Sequence, residues 1–142
     1  MHAADVADDQ AVIAMYDRIE AELGPVSDLV NNAGILHSQS RVESMSATRL
    51  HEVLATNVVG SFSCAREMVA RFVAAGQTRG AIVNVSSAAS YLGSANEYVD
   101  YAASKGAIDT MTIGLANEVA RQGIRVNAVS YTHLTLPTTP YV

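Results

Sequence analysis

The stretch GAIVNVSS, residues 80–87, decides the fold class of this chain. It is short, rich in β-branched residues and apolar at positions that would face both sides of a sheet. Such a run is typical of a buried strand in a parallel sheet, whereas a strand with one wet face alternates polar and apolar residues. Two serines close the run, so hydroxyl groups stand where the strand ends.

Similar short runs lie on either side, at DLVNNAG (28–34), with its strand at about 28–32, and at IRVNAV (124–129). Three helical patterns alternate with them. The first begins at Asp8 or Asp9 and stops at Gly24-Pro25, the second runs from about Ser46 to 75, and the third covers about 101–122. This order predicts an α/β fold, a doubly wound parallel sheet with helices on both faces and no second domain.

The composition excludes several classes of function. The 142 residues carry a net charge of −5 with no basic cluster, so a nucleic-acid surface is not expected. Four scattered histidines show no metal-ligand spacing. The single cysteine, Cys64, excludes a disulfide framework and is expected in the core. Without a signal peptide or a membrane-length apolar run, we expect a cytoplasmic protein with no membrane partner.

Polar side chains gather where the predicted strands end, which is where open parallel sheets bind ligands. Tyr101 and Lys105 begin the third helix and share one face, because positions i and i+4 are neighbours on a helix. A lysine beside a phenol favours the phenolate, so such a tyrosine can exchange a proton near neutral pH. Ser87 could bind the same substrate oxygen. By spacing alone, a packed tyrosine beside a solvated lysine would be favoured.

Asn57 is a polar residue on the apolar edge of the second helix. A buried amide must find hydrogen-bond partners. One interpretation is a structural amide that bonds backbone at a helix kink, and the other is an amide that holds a water near an active site. Spacing favours the structural interpretation.

Five motifs in order resemble the short-chain dehydrogenase/reductase family, of the type called classical. They are NNAG at 31–34, NVVG at 57–60, IVNVSS at 82–87, YAASK at 101–105 and IRVNAV at 124–129. The resemblance covers about residues 4–129. It implies a Rossmann-like fold, NAD or NADP as cofactor, and hydride transfer between the nicotinamide and an alcohol or ketone.

The resemblance also implies a role for each matching residue. Tyr101 would be the general acid/base, and Lys105 would tune it and bond the nicotinamide ribose. Ser87 would orient the substrate oxygen, and Asn57 would hold a water of a proton relay. Cofactor contacts would come from a further set of positions, namely Asp5, Val6, Asn31, Ala33 and Gly34. The complete protein would be a homodimer or homotetramer, in part through the helices at about 46–75 and 101–122.

Two departures from the family pattern stand out. The sequence has no T-G-x-x-x-G-x-G turn, and the match ends after Val129. We therefore expect a partial domain at 1–130 that lacks the first strands and the C-terminal part, followed by an irregular tail at 131–142. Such a chain is expected to be an inactive fragment that associates or folds poorly, because a sheet edge and apolar faces would be left uncovered.

Two other functions compete with the oxidoreductase. A catalytically silent structural or interaction protein derived from the same fold is consistent with the missing phosphate-binding turn. An extended-type epimerase or dehydratase also uses a tyrosine and a lysine at this spacing, although NNAG and NVVG disfavour it.

Overall fold

The three predicted strands form one parallel sheet in the computed structural model, which describes residues 3–130. The strands are β1 (Asp28–Asn31), β2 (Gly80–Val85) and β3 (Ile124–Val129), in the spatial order β1-β2-β3. Leu29 is the register partner of Ile82, which in turn partners Val126. The predicted tail at 131–142 lies outside the described residues.

The helices follow the predicted order with one interruption. Helix α1 covers Asp9–Leu23, and the Asp8 carboxylate caps it by accepting from two backbone N–H groups. The second helical pattern is divided into α2 (Ala47–Leu54) and α3 (Gly60–Ala74), which are joined by a π-helical segment, Ala55–Val59. Helix α5 covers Val99–Val119, and a four-residue helix that the sequence did not predict, α4 (Ala89–Leu92), precedes it.

All three long helices lie on one face of the sheet. Ile82 and Val126 point to the same face because they are register partners, and both belong to the buried core. That core also contains Val12 of α1, Met68 of α3 and Ile108 of α5. The arrangement follows from geometry, since successive right-handed crossovers that advance in one direction place their helices on the same side.

The opposite face of the sheet is open within residues 3–130. Val30 is 62% exposed and Val129 is 42% exposed, and both belong to this face by the strand register. The prediction of an α/β chain with a parallel sheet flanked by helices is confirmed. The described helices cover one face of it.

Two further expectations concern the described part of the chain. Cys64 is buried, as expected for a small core residue. Across residues 3–130, no helix combines the length and apolarity needed to span a bilayer.

Candidate active site

Asn57 occupies the π-helical segment and is 1% exposed. Its Oδ1 accepts from the Ile35 backbone N–H at 2.7 Å, and its Nδ2 donates to the Ile35 carbonyl at 3.0 Å. The amide therefore pairs both polar groups of one backbone residue in the loop that follows β1. The structural interpretation of Asn57 describes these contacts, and its role in holding a water stays a prediction.

A second bond of Asn57 reaches the predicted acid/base helix. Nδ2 also donates to Ser104 Oγ at 3.0 Å, and Ser104 Oγ donates to the Tyr101 carbonyl at 2.7 Å. Ser104 is fully buried, so this chain of bonds is shielded from water. The π-helical segment and the first turn of α5 are thereby fixed to each other. Sequence reasoning missed Ser104, although a serine within a buried helical turn was the signal that could have found it.

Lys105, the single lysine of the chain, is 5% exposed. Its Nζ donates to the Val85 carbonyl at the end of β2 over 2.6 Å and lies 5.6 Å from the centre of the Tyr101 ring. Burial lowers the pKa of the Lys105 ammonium, and the Asp109 carboxylate offsets part of this effect. The structure therefore brings the predicted tyrosine and lysine together on the buried side of α5, so the lysine is not a solvated surface residue.

The loop after β1 approaches the same place. A Cβ atom added to Gly34 would lie 3.4 Å from Asn57 Oδ1 and 3.7 Å from Lys105 Nζ. Both distances are ordinary van der Waals contacts, so Gly34 lies directly beside both groups. Ala33, the residue before it, is exposed. Gly34, Asn57 and Lys105 thus surround one point at the carboxyl end of the sheet.

The serine pair follows β2 directly. Ser87 is partly buried, and its Oγ accepts from the Ala89 backbone N–H at 3.2 Å at the start of α4. Ser86 is 5% exposed, and its Oγ has no hydrogen-bond partner among the described residues. A buried hydroxyl without a partner is uncommon in folded proteins and marks a position where a polar group of a ligand can bind.

Asn31 belongs to a hydrogen-bond network that links β1 to β2 and to two helices. Its Nδ2 donates to the Ser61 carbonyl at 3.2 Å and to Asn84 Oδ1 at 2.9 Å, and Asn84 Nδ2 donates to Thr112 Oγ1 at 2.9 Å. This ladder crosses from β1 through β2 to α5. Asn84 is fully buried inside the apolar run of β2 and was missed from the sequence. An asparagine between two valines of a buried strand was the available signal, because it requires a partner.

Asp5 and Val6 precede α1, and they contact Ala7 and Gly60. Asp5 Oδ1 accepts from the Ala7 backbone N–H at 2.9 Å, so its carboxylate closes a local turn. A Cβ atom on Gly60 would lie 2.7 Å from Val6 Cγ2, which places Val6 against the first residue of α3. Their role toward an adenine ring stays a prediction.

A buried ion pair that the sequence did not predict stands beside Tyr101. Arg49 Nε donates to Asp100 Oδ2 at 2.7 Å, and Arg49 Nη2 donates to Asp100 Oδ1 at 3.2 Å. The Arg49 hydrogen bond lowers the pKa of the Asp100 carboxyl, although burial acts in the opposite direction. Among residues 3–130, no group of histidine, cysteine and acidic side chains is arranged to hold a metal ion.

Known proteins resemble this chain in sequence and in fold. The family model described as short chain dehydrogenase matches residues 1–138. The chain belongs to the short-chain dehydrogenase/reductase family. The resemblance predicted from the five motifs is therefore confirmed, and so is the Rossmann-type α/β class.

Relatives within the short-chain dehydrogenase/reductase family cover most of the chain. The Escherichia coli (strain K12) protein named uncharacterized oxidoreductase YgfF is 58% identical over 127 residues, which are 89% of this chain and 51% of that protein. Galactitol 2-dehydrogenase (L-tagatose-forming) from Cereibacter sphaeroides is 41% identical over 128 residues, 89% of this chain and 49% of that enzyme. The chain thus spans about half the length of the curated relatives it matches.

A solved structure of the family agrees with the fold. The gluconate 5-dehydrogenase from Burkholderia cenocepacia J2315, in complex with NADP and tartrate, superposes with a TM-score of 0.81 at 33% sequence identity. The match covers 89% of this chain and 48% of that one.

Proposed function

We propose that this chain carries the proton-transfer half of a nicotinamide-dependent oxidoreductase that interconverts an alcohol and a ketone. The observation that supports the proposal is the convergence of Tyr101, Lys105 and Asn57 at the carboxyl end of the sheet. Family membership alone does not establish an activity, because one fold supports many functions. The convergence supplies the chemistry, since it sets a phenol beside a buried cation.

Each residue of the site has a separate part in the proposal. Tyr101 gives its phenol proton to the substrate oxygen during reduction and takes it back during oxidation. Lys105 stabilises the phenolate that is left, because its Nζ stands near the ring. Ser87 donates a hydrogen bond to the same substrate oxygen. Asn57 holds the helix turn and a water through which the proton is replaced.

The residues present fit a nicotinamide cofactor, either NAD or NADP. Gly34 leaves room beside Lys105 and Asn57 that a Cβ atom would fill, and the buried Ser86 hydroxyl has no partner among the described residues. Lys105 would bond the ribose, and Gly34 and Ala33 would line the approach. Asp5 and Val6 would meet the adenine, and Asn31 would hold the sheet beneath. When bound, the nicotinamide supplies or accepts the hydride.

Replacing Tyr101 with phenylalanine tests the proposal. Tyr101→Phe removes the proton donor and keeps the ring, so we expect turnover of a secondary alcohol with NAD or NADP by the complete protein to fall at least about a hundredfold. Tyr91→Phe is the matched control, because Tyr91 is 66% exposed on α4, and it should keep wild-type turnover. Circular dichroism should be unchanged in both variants. Turnover of Tyr101→Phe at the wild-type rate would remove Tyr101 from this role.

A second candidate function is a catalytically silent interaction protein. The open face of the sheet favours it, because Val30 and Val129 present apolar surface that a partner could cover. Two measurements on the complete protein separate the candidates. A catalytic protein shifts NADH fluorescence and, in a separate assay, oxidises an alcohol with NAD or NADP as the hydride acceptor. A silent protein does neither and still forms a complex.

We also propose that the complete protein forms a homodimer or homotetramer in the cytoplasm. An apolar groove of about 380 Å³ lies between α3 and α5 on their outward sides. Its apolar residues include Phe62, Val69 and Leu115, and charged Arg66 and Glu118 stand at its margin. Opposite charges beside an apolar groove suit a second copy in a two-fold arrangement. The free, buried thiol of Cys64 is compatible with a reducing compartment.

A further inference from the structure

A buried ion pair joins three separate segments at the beginning of α5. Arg49 stands in the first turn of α2, and all of its nitrogens are used. Two of them grip the Asp100 carboxylate, and Nη1 donates to the Ser38 carbonyl at 2.7 Å. The Asp100 side chain is 2% exposed and that of Arg49 is 12% exposed. Water therefore screens this pair little, in contrast to an exposed pair.

The pair secures a helix start that has no other side-chain cap. The N-cap residue of α5, Tyr98, makes no capping hydrogen bond with its side chain. Asp100 lies in the first turn, where a negative charge is stabilised by the helix dipole. Two planar groups joined by two parallel bonds also fix an orientation, which a single contact does not. Tyr101 is the next residue in the chain, so its backbone position depends on the ion pair between Arg49 and Asp100.

The same arginine holds the loop that faces this helix start. Ser38 belongs to the loop between β1 and α2, and two neighbours in that loop reach the segment before α5. The Ser40 backbone N–H donates to the Glu97 carbonyl at 2.9 Å, and Gln39 Nε2 donates to Glu97 Oε1 at 3.2 Å. Arg49 therefore sets the distance between the loop at 38–40 and the turn that carries Tyr101.

We propose that Arg49 and Asp100 are positioning residues, which hold the Tyr101 turn and the loop at 38–40 in one fixed relation beside the substrate oxygen. The inference rests on the proposed function, because it assigns the pair to the reaction of Tyr101. Asn57 and Ser104 hold the same turn from the buried side. Tyr101 is thus held from two directions, by a neutral network beneath and by an ion pair at the edge.

Hydrogen exchange of the backbone amides in the full chain tests whether the Arg49–Asp100 pair holds the start of α5, and it requires no turnover. Arg49→Met leaves the Asp100 carboxylate buried and unpaired, so amides of residues 99–104 should exchange at least about tenfold faster than in the wild type. Amides of α1 should keep their rates. Arg71→Met is the matched control, because Arg71 is also a partly buried arginine that joins two helices, here α3 to α1 through Asp17 and Glu20. It should leave residues 99–104 unchanged.

A spectroscopic signature separates positioning from general stability. With ¹³C-labelled tyrosine, the Tyr101 ring resonance is assigned by its loss in Tyr101→Phe. The resonance should shift in Arg49→Met and stay unshifted in Arg71→Met. In Arg49→Lys the shift should be smaller, because lysine restores the positive charge but not the planar two-bond geometry of the guanidinium. Turnover should follow the same order, with kcat of Arg49→Met about tenfold lower and the cofactor KM unchanged.

The outcomes are distinct. Wild-type exchange at residues 99–104 in Arg49→Met overturns the proposal, and so does an unmoved Tyr101 resonance. Faster exchange with kcat unchanged also overturns it, because the pair would then serve stability alone. If the wild type shows no turnover that Tyr101→Phe abolishes, the proposed function fails, and the exchange and resonance measurements still decide whether the pair holds Tyr101.

Discussion

Replacing Asn57 with alanine should destabilise the chain more than any change at an exposed amide. The substitution removes three hydrogen bonds, of 2.7, 3.0 and 3.0 Å. Ser104 Oγ keeps its bond to the Tyr101 carbonyl, so the main loss is the pairing of the Ile35 backbone N–H and carbonyl. Each buried group left without a partner costs about 1–3 kcal/mol, and the Ile35 groups are partly buried. We therefore expect a loss of about 2–4 kcal/mol in the free energy of unfolding.

Urea unfolding followed by far-UV circular dichroism measures this loss. Asn117→Ala is the matched control, because Asn117 is an exposed asparagine on α5, and its effect should stay within about 0.5 kcal/mol. All variants are compared at one protein concentration, since association would make the midpoint depend on concentration. If Asn57→Ala and Asn117→Ala unfold at the same urea concentration, the amide does not carry the three bonds assigned to it.

Asn57→Asp refines the same prediction. A carboxylate can still accept from the Ile35 N–H, but its second oxygen would face the Ile35 carbonyl, where the amide donates now. Burial and this repulsion would raise the pKa of the new carboxyl in the folded state. The folded chain then binds more protons than the unfolded chain, so the penalty of Asn57→Asp should shrink as pH falls through that raised value. A penalty independent of pH would contradict the geometry.

Three further changes probe other parts of the structure. In urea unfolding, the wild type should become more stable as pH rises toward 10.5, and Lys105→Met should remove this increase. The reason is that burial lowers the folded pKa of Lys105 below 10.5, so that between the folded and the unfolded pKa the unfolded chain binds more protons. A variant with the same pH dependence as the wild type would contradict this. Gly123→Ala should cost several kcal/mol, since its φ is +81° and a Cβ would lie 2.1 Å from the Thr78 carbonyl oxygen, whereas Gly76→Ala, at φ +66° with open space around it, should cost only about 1–2 kcal/mol. Phe62→Asp in the groove between α3 and α5 should shift sedimentation toward the monomer, and an unchanged distribution would argue against that groove as the interface.

Much of the fold could be predicted from the sequence because its signals are local. Strands form within the predicted runs DLVNNAG and GAIVNVSS and over IRVNAV, and the Asp8 cap and the Gly123 turn appear where the pattern places them. The π-helical segment could not be predicted, because ATNVV continues a helical apolar pattern without a proline or glycine to mark the wider turn. The sequence also could not show which face of the sheet α1, α3 and α5 cover, since strands that are apolar on both sides do not distinguish the two faces.

In the candidate site, too, local pairs could be predicted from the sequence and long-range contacts could not. Tyr101 and Lys105 could be paired from their spacing of one helical turn. Asn57 could be recognised as a buried amide. Its partner Ile35 is 22 residues away, and the spacing of residues in the sequence does not reveal a contact over that distance. Arg49 and Asp100 are 51 residues apart on two helices, and each alone resembles an ordinary surface charge. Their pairing depends on how α2 docks against α5, which only the folded chain determines.

The order of the strands in space, β1-β2-β3, is also their order along the chain. Within residues 3–130, β2 therefore pairs with β1 and β3 pairs with β2, so no described strand has to be inserted between two strands that are already joined. As this part of the chain leaves the ribosome, the units that carry β2 and β3 can each dock onto the edge formed by the strand before them, by stepwise addition. In such a sheet the newest strand always forms the growing edge.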